Sequence, residues 1–205
     1  MTEEEADRAR VAVLERNFDQ IFEENEDEGF RFPWLADTTE DKTLLAPVQF
    51  SSLRTARDVL RFAQVTPDDI IADLGAGDGR VAITAVVEFH AKRAIGVEIE
   101  EPLVLKGRQV AAQLGLGPER LSLHCANLMS LPPEVDQALD TCTLFFFYLL
   151  TPAFEALEER LVRALRRGAR IVSLHFSCRR WTPVAHSEDG RCWLYTRASL
   201  PPGQE

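Results

Sequence analysis

Asp73-Leu74-Gly75-Ala76-Gly77-Asp78-Gly79-Arg80 lies between the apolar run Ile70-Ile71-Ala72 and a helix-like run over 81–89. Glycines at alternate positions let a backbone turn sharply and approach a bound molecule closely, and a helix starting behind them aims unsatisfied N–H groups at it. Nineteen residues after Gly79, Glu98 closes a second apolar run, Ala94-Ile95-Gly96-Val97. An acid at the tip of the next strand is suited to hold a ribose diol by two hydrogen bonds. Together the two elements describe a pocket for an adenosine-like cofactor.

The third glycine narrows the choice. A dinucleotide fingerprint Gly-x-Gly-x-x-Gly would need glycine at position 80, where Arg80 stands, and no Gly-Lys-Ser or Gly-Lys-Thr follows to make a phosphate loop.

Working outward from the turn, strand-like runs at 70–74, 94–98, 121–125, 143–148 and 170–176 alternate with helical stretches at 81–89, 102–114 and 153–165. A further helix over 51–63, with Leu53, Ala56, Val59, Leu60 and Ala63 apolar, leads into the first strand. Strands buried on both faces and joined by helices imply a parallel sheet with right-handed crossovers, an α/β fold. Runs at 181–185 and 191–197 flank Ser187-Glu188-Asp189-Gly190, whose Asp-Gly marks a hairpin.

The chain has 205 residues and a net charge of −10, unevenly spread. Residues 1–46 hold 14 acids and 5 bases, whereas 47–205 hold 19 acids and 18 bases. The division reads as an acidic N-terminal arm (1–46) on one domain (47–205) long enough to bury a real core. Val11, Leu14, Phe18, Ile21 and Phe22 share one face of an arm helix over about 4–22, expected to dock on the body. A charged linker (23–29) and the aromatic cluster Phe30-Arg31-Phe32-Pro33-Trp34-Leu35 follow. Such an arm has no attraction for phosphate backbones, which argues against nucleic acid and for a basic protein segment, unless the arm only aids solubility. The longest apolar run, 142–150, is far short of the roughly 20 residues a bilayer demands. Met1-Thr2-Glu3-Glu4-Glu5 has no targeting pattern, so cytosol or nucleus is expected. Cys125, Cys142, Cys178 and Cys192 lack the pairing of a zinc site and read as reduced core thiols, and no metal is expected.

The stretch from Asp73 to Gly79, with Glu98, resembles motif I and the following acid of class I S-adenosylmethionine-dependent methyltransferases. The resemblance implies a Rossmann-like seven-strand methyltransferase sheet of order 3-2-1-4-5-7-6, helices on both faces, with S-adenosylmethionine as cofactor. It also implies that Asp73, Gly75, Ala76 and Gly77 border the methionine moiety, Glu98 takes the ribose hydroxyls and Ile99 packs on adenine. Asn127, followed by Leu128, stands where many members have an acid, and its amide oxygen can still accept from the adenine amino group.

At the fourth strand's end, Tyr148-Leu149-Leu150-Thr151-Pro152 replaces the Asp-Pro-Pro-Tyr of nucleobase methyltransferases. With Leu174-His175-Phe176 and Trp181, it is similar to the small protein-lysine methyltransferases that modify the ATP synthase c-subunit and the adenine nucleotide translocase. The resemblance spans roughly 46–197 and implies a protein substrate with an accessible lysine. On this reading Tyr148 orients the amine, Phe147, Pro152 and Trp181 line the substrate channel, and His175 is a candidate base. The aromatics read equally as core, and His175 as a strand-end histidine satisfied by a neighbour. A small-molecule N- or O-methyltransferase and a non-catalytic binding module that keeps the cofactor fold are the alternatives.

Overall fold

The computed structural model describes residues 2–18 and 50–204. The expected linker, aromatic cluster, last turn of the arm helix and the boundary at 46/47 lie outside the described residues.

Seven strands form one sheet of order β3-β2-β1-β4-β5-β7-β6. The central strands are β1 (Ile70–Leu74), β2 (Arg93–Glu98), β3 (Leu121–Cys125), β4 (Leu144–Phe147) and β5 (Arg170–Leu174). They run parallel, with Asp73 of β1 beside Gly96 of β2 and Phe146 of β4. The hairpin of β6 (Ala185–His186) and β7 (Cys192–Tyr195) adds antiparallel to β5. The order reverses between β1 and β4, the crevice where doubly wound sheets bind ligands.

Helices cover both faces. Helices α1 (Glu3–Phe18), α2 (Leu53–Phe62), α3 (Arg80–Val87) and α4 (Glu101–Gln113) pack on one. Helices α5 (Pro133–Leu139), α6 (Thr151–Ala156) and α7 (Glu158–Arg166) pack on the other. Strand alternation sorts the side chains: Ile71, Leu144, Phe146 and Val172 enter the α1–α4 core, and Ala72, Phe145, Phe147 and Ile171 the α5–α7 core. The expected single helix over 153–165 is broken at Leu157, a residue of non-helical backbone that both ends α6 and begins α7. Helix α5 adds to the expected elements; its seven residues offer only Val135 and Leu139 as apolar anchors to the core, too few for a periodic signal.

The arm helix does dock on the body: Leu14 and Phe18 are buried in the same core as α2, α3 and α4. Its charges are set by Arg57 of α2, which bridges Glu88 at the end of α3 and Glu15 of α1. At the sheet's N-terminal edge Arg170 of β5 grips both oxygens of Asp69 at 2.7 Å, and Thr143 donates to the same carboxylate at 2.6 Å. Burial works to raise the Asp69 pKa, but the bonds from Thr143, Thr66 and Arg170 hold it below the usual carboxylate range. The network ties β1, β4 and β5 at the end opposite the glycine turn.

Cys142, Cys178 and Cys192 are buried, and burial pushes their thiols up, Cys142 to about 12 and Cys192 to about 11. Cys125 departs from the core expectation. It ends edge strand β3 and is exposed, its Sγ 3.6 Å from the Ile99 carbonyl. No helix of the described residues is long and apolar enough to cross a membrane. No group of three His, Cys, Asp or Glu able to hold a metal ion gathers among them.

Candidate active site

The glycine turn owes its shape to three left-handed residues, Gly75 (φ +79°), Gly77 (φ +56°) and Gly79 (φ +74°). At Gly75 the need is twofold, because a Cβ there would also lie 2.7 Å from Leu149 Cδ2. The N–H groups of Gly75 and Ala76 donate to the Val97 carbonyl, which fastens the turn to β2. Gly79 provides no side-chain cap for α3, and Asp73 supplies one from the strand: its Oδ2 accepts from Ala82 N–H at 3.3 Å.

Glu98 closes the other side of the crevice. Its Oε2 accepts from Gly77 N–H (2.8 Å), and its Oε1 from Ile99 (2.7 Å) and Glu100 (3.0 Å). A carboxylate oxygen has two lone pairs, so the three bonds aim the group and leave one acceptor site, on Oε2; a two-bond grip on a ribose diol requires Oε1 to release one of its two backbone donors. Ile99, next along, is 39% exposed and Met129 51%, apolar side chains at the same end of the sheet. Asn127 Oδ1 accepts from Met129 N–H at 2.8 Å, so the amide oxygen considered for adenine is already held in an Asx turn with one lone pair remaining. Leu128 is buried among the α5–α7 core residues and can reach the crevice only through its backbone.

Asp73 tests whether these residues fit S-adenosylmethionine. Its carboxylate is 1% exposed, and Oδ1 has no protein partner. Burial, then the charges of Glu98 and Asp78, raise its pKa to about 7, against the pull of the Ala82 N–H bond. An orphaned buried carboxylate beside a glycine turn matches a ligand ammonium, a second carboxylate, Glu98, stands across the turn with an acceptor site open to a hydroxyl, and the donor set fits the cofactor.

The proton count follows. In the ligand-free fold the raised pKa means that Asp73's contribution to stability is present below its unfolded value of 3.8 and is lost as pH rises to about 7. A bound ammonium reverses the preference, so binding releases a proton below pH 7. Calorimetric affinity for S-adenosylhomocysteine should therefore fall by up to about tenfold per pH unit below 7, and Asp73→Asn should flatten that slope.

Beneath the turn lies an ion cluster that the sequence does not announce. Asp78 is fully buried and takes Arg80 Nε (2.9 Å), Arg80 Nη2 (2.7 Å) and Lys106 Nζ (2.8 Å). Burial works to raise the Asp78 pKa, and the bonds and charges of Arg80, then Lys106, hold it below the usual range. Arg80 also donates to the Ser51 carbonyl at 2.7 Å. The sequence signal for it is the acid–base pair two positions apart inside a turn, but Lys106 is far along the chain.

At the acceptor end, the structure brings together Tyr148 and His175, ring centroids 5.5 Å apart, with Phe176 at 6.4 Å from Tyr148. His175 adopts φ +61°, and Phe176 N–H donates to the Leu174 carbonyl across it, a γ-turn of the strained, positive-φ kind. Its own N–H donates to the Arg191 carbonyl at 2.7 Å, which fastens the turn to the hairpin. Burial and then the Arg191 charge lower the His175 pKa, so the imidazole is neutral at neutral pH. Burial raises the Tyr148 phenol, which stays protonated.

Phe147 and Trp181 do not join them. Phe147 is fully buried with its ring 4.3 Å from Phe154, and Trp181 packs edge-on against Phe154 and Tyr195. Both belong to the α5–α7 core, whereas Tyr148 packs against the α1–α4 core. The expected channel is thus corrected: successive strand residues point to opposite faces, so Tyr148 and Phe147 cannot line one passage. Pro152 is exposed in the first turn of α6.

Comparison with known proteins agrees with this geometry. A protein-lysine N-methyltransferase of Saccharolobus islandicus (strain REY15A) is 37% identical over 139 residues, 67% of this chain and 82% of that protein. The adenine nucleotide translocase lysine N-methyltransferase of Mus musculus is 30% identical over 154 residues, and this chain spans 63% of its length. Among solved structures, an RNA methyltransferase from Salinibacter ruber in complex with S-adenosyl-L-homocysteine superposes with a TM-score of 0.65 at 27% identity, covering 76% of this chain and 97% of that one. Residues 73–185, more than half of the chain and the whole span from the glycine turn to β6, match the model of the ANTKMT methyltransferase domain, and the chain belongs to that family.

Proposed function

We propose that this protein transfers methyl groups from S-adenosylmethionine to a lysine side chain of a protein substrate. The observation that carries the reading is the pairing of an orphaned, buried Asp73 with Glu98 across a glycine turn, in a chain whose relatives are named for lysine methylation. When bound, the cofactor would supply an electrophilic methyl carbon: a neutral amine forms the N–C bond in line as the C–S bond breaks and the sulfonium leaves as the neutral thioether of S-adenosylhomocysteine. Asp73 would bind the ligand ammonium and Glu98 the ribose hydroxyls, while the Asn127 amide flanks the adenine.

A lysine ammonium has no lone pair, so the acceptor must lose a proton before attack. Tyr148 cannot take that proton as a phenolate, but its hydroxyl can accept from or donate to the amine and fix its direction. His175 is the candidate acceptor for that proton, but the burial and Arg191 charge that keep it neutral also disfavour its imidazolium, so release of the proton to solvent before attack fits the site better. Tyr148→Phe should lower turnover about tenfold and Tyr148→Ala about a hundredfold, with cofactor affinity nearly unchanged. Single-turnover methylation and calorimetry read the two effects, and unchanged turnover in both variants removes Tyr148 from the mechanism.

One observation favours a second reading, methyl transfer to RNA: the similar Salinibacter ruber structure is that of an RNA methyltransferase. The net charge of −10 weighs against it, because phosphate contacts dominate nucleic-acid affinity. Labelled S-adenosylmethionine added with the protein to a cell extract separates the readings. Label that survives ribonuclease and maps to lysine supports the proposal. Label lost to ribonuclease, or found only in small metabolites, overturns it.

A further inference from the structure

Two phenylalanines from distant parts of the sequence meet at the ion cluster under the glycine turn. The Arg80 guanidinium carbon lies 5.2 Å from the ring centre of Phe18 and 4.7 Å from that of Phe50. Lys106 Nζ lies 5.6 Å from the first and 5.8 Å from the second. Ring faces attract cations, and the attraction is strongest where water is excluded. Phe18 is fully buried and Arg80 is 2% exposed. The bond from Arg80 to the Ser51 carbonyl fixes the backbone immediately after Phe50.

The same ring reaches the turn. A Cβ built on Gly77 would lie 3.6 Å from Phe50 Cε1 and 3.8 Å from Cδ1, so Phe50 stands in van der Waals reach of this glycine. Gly77 also donates to Glu98 Oε2, which makes Phe50, Gly77 and Glu98 contiguous. Phe50 is half-buried, with Arg80 and Lys106 holding the ring. We infer that Phe50 forms an apolar wall of the cofactor cleft, positioned there by the Arg80–Lys106 cation pair, so that the segment leading into α2 is part of the S-adenosylmethionine site.

This inference rests on the reading of the glycine turn as an S-adenosylmethionine site. It assigns Arg80 and Lys106 as positioning residues that act through Phe50 and Asp78. A replacement that fills the same space without a ring face should release the wall, whereas another ring should keep it.

Calorimetry with S-adenosylhomocysteine on the full chain, paired with thermal melting of the ligand-free protein, tests both ideas. Phe50→Leu should weaken binding about tenfold, and Phe50→Tyr should stay within about threefold of the parent. Lys106→Met, which leaves the Arg80–Asp78 pair in place, should weaken binding about threefold. The ligand-free melting temperature should move by less than about 3 °C in all three variants. No binding by the parent chain would sink the cofactor reading itself. Parent-like binding by Phe50→Leu and Lys106→Met, or equal weakening by Phe50→Leu and Phe50→Tyr, would overturn the role of the ring while leaving the cofactor reading intact.

Discussion

Glu98→Ala should lose cofactor binding by about a hundredfold or more, and methyl transfer with it, because one side chain does two jobs. On the proposed reading its carboxylate accepts from the ribose, and it also satisfies the N–H groups of Gly77, Ile99 and Glu100. Truncation removes the acceptor and leaves three backbone donors to find water, so the glycine turn loses its tether to the tip of β2. Glu98→Gln separates the two jobs. The amide keeps one oxygen for backbone donors but offers the other position as a donor, so binding should fall by an intermediate amount, about tenfold. Titration calorimetry with S-adenosylhomocysteine gives both numbers. An alanine variant that binds like the parent would remove Glu98 from the site.

Arg80→Met should be the most damaging single change to stability, at about 3–5 kcal/mol, the usual cost of stripping a buried charge of its partner. Asp78 is fully buried and would retain only Lys106, whose side chain is 36% exposed. The sign of the pH dependence is fixed by Asp78. Its folded pKa lies below 3.8, so the ion cluster's contribution is present above the unfolded value and is lost as pH falls through the folded one. The deficit of Arg80→Met relative to the parent should therefore be largest near neutrality and shrink in acid. Adding Asp78→Asn should recover much of it, with a coupling of about 2 kcal/mol in a double-mutant cycle by urea unfolding. Additive losses would show that the two residues do not act as a pair.

The central five strands were legible because buried parallel strands are short, nearly continuous apolar runs, and each observed strand lies within two residues of its expected bounds. The hairpin was legible from Asp189-Gly190, although β6 is only two residues long, with the bond from Val184 N–H to the Leu194 carbonyl just ahead of it. The kink at Leu157 was not, since apolar spacing continues through it and the break is a matter of backbone angle. In the site, Glu98 was legible from its place at the tip of the strand after the glycine turn, whereas Asp73 was singled out by the resemblance to motif I; the structure brings both carboxylates to the turn. Phe147 misled because nearness in sequence to Tyr148 was taken for nearness in space, although the alternation along β4 already assigns it to the far face; Trp181 entered through the family resemblance, and its packing against Phe154 and Tyr195 is a tertiary contact that no local pattern records. The Asp78–Arg80–Lys106 cluster and Phe50 were out of reach. Their meaning lies in pairings across 28 and 30 positions that no local pattern records.

The two cores divide the labour of the molecule. Tyr148 packs against the core under α1–α4, and strand alternation turns Asp73 and Glu98 to the same face, whereas Phe145, Phe147, Phe154 and Trp181 lie in the core under α5–α7. Such a layout makes the molecule separable for an engineer or for natural drift. Stabilising changes beneath α5–α7, away from Leu149 where that core meets Gly75, can raise stability without touching the glycine turn, and that reserve can absorb the cost of varying the acceptor end when new substrates are selected.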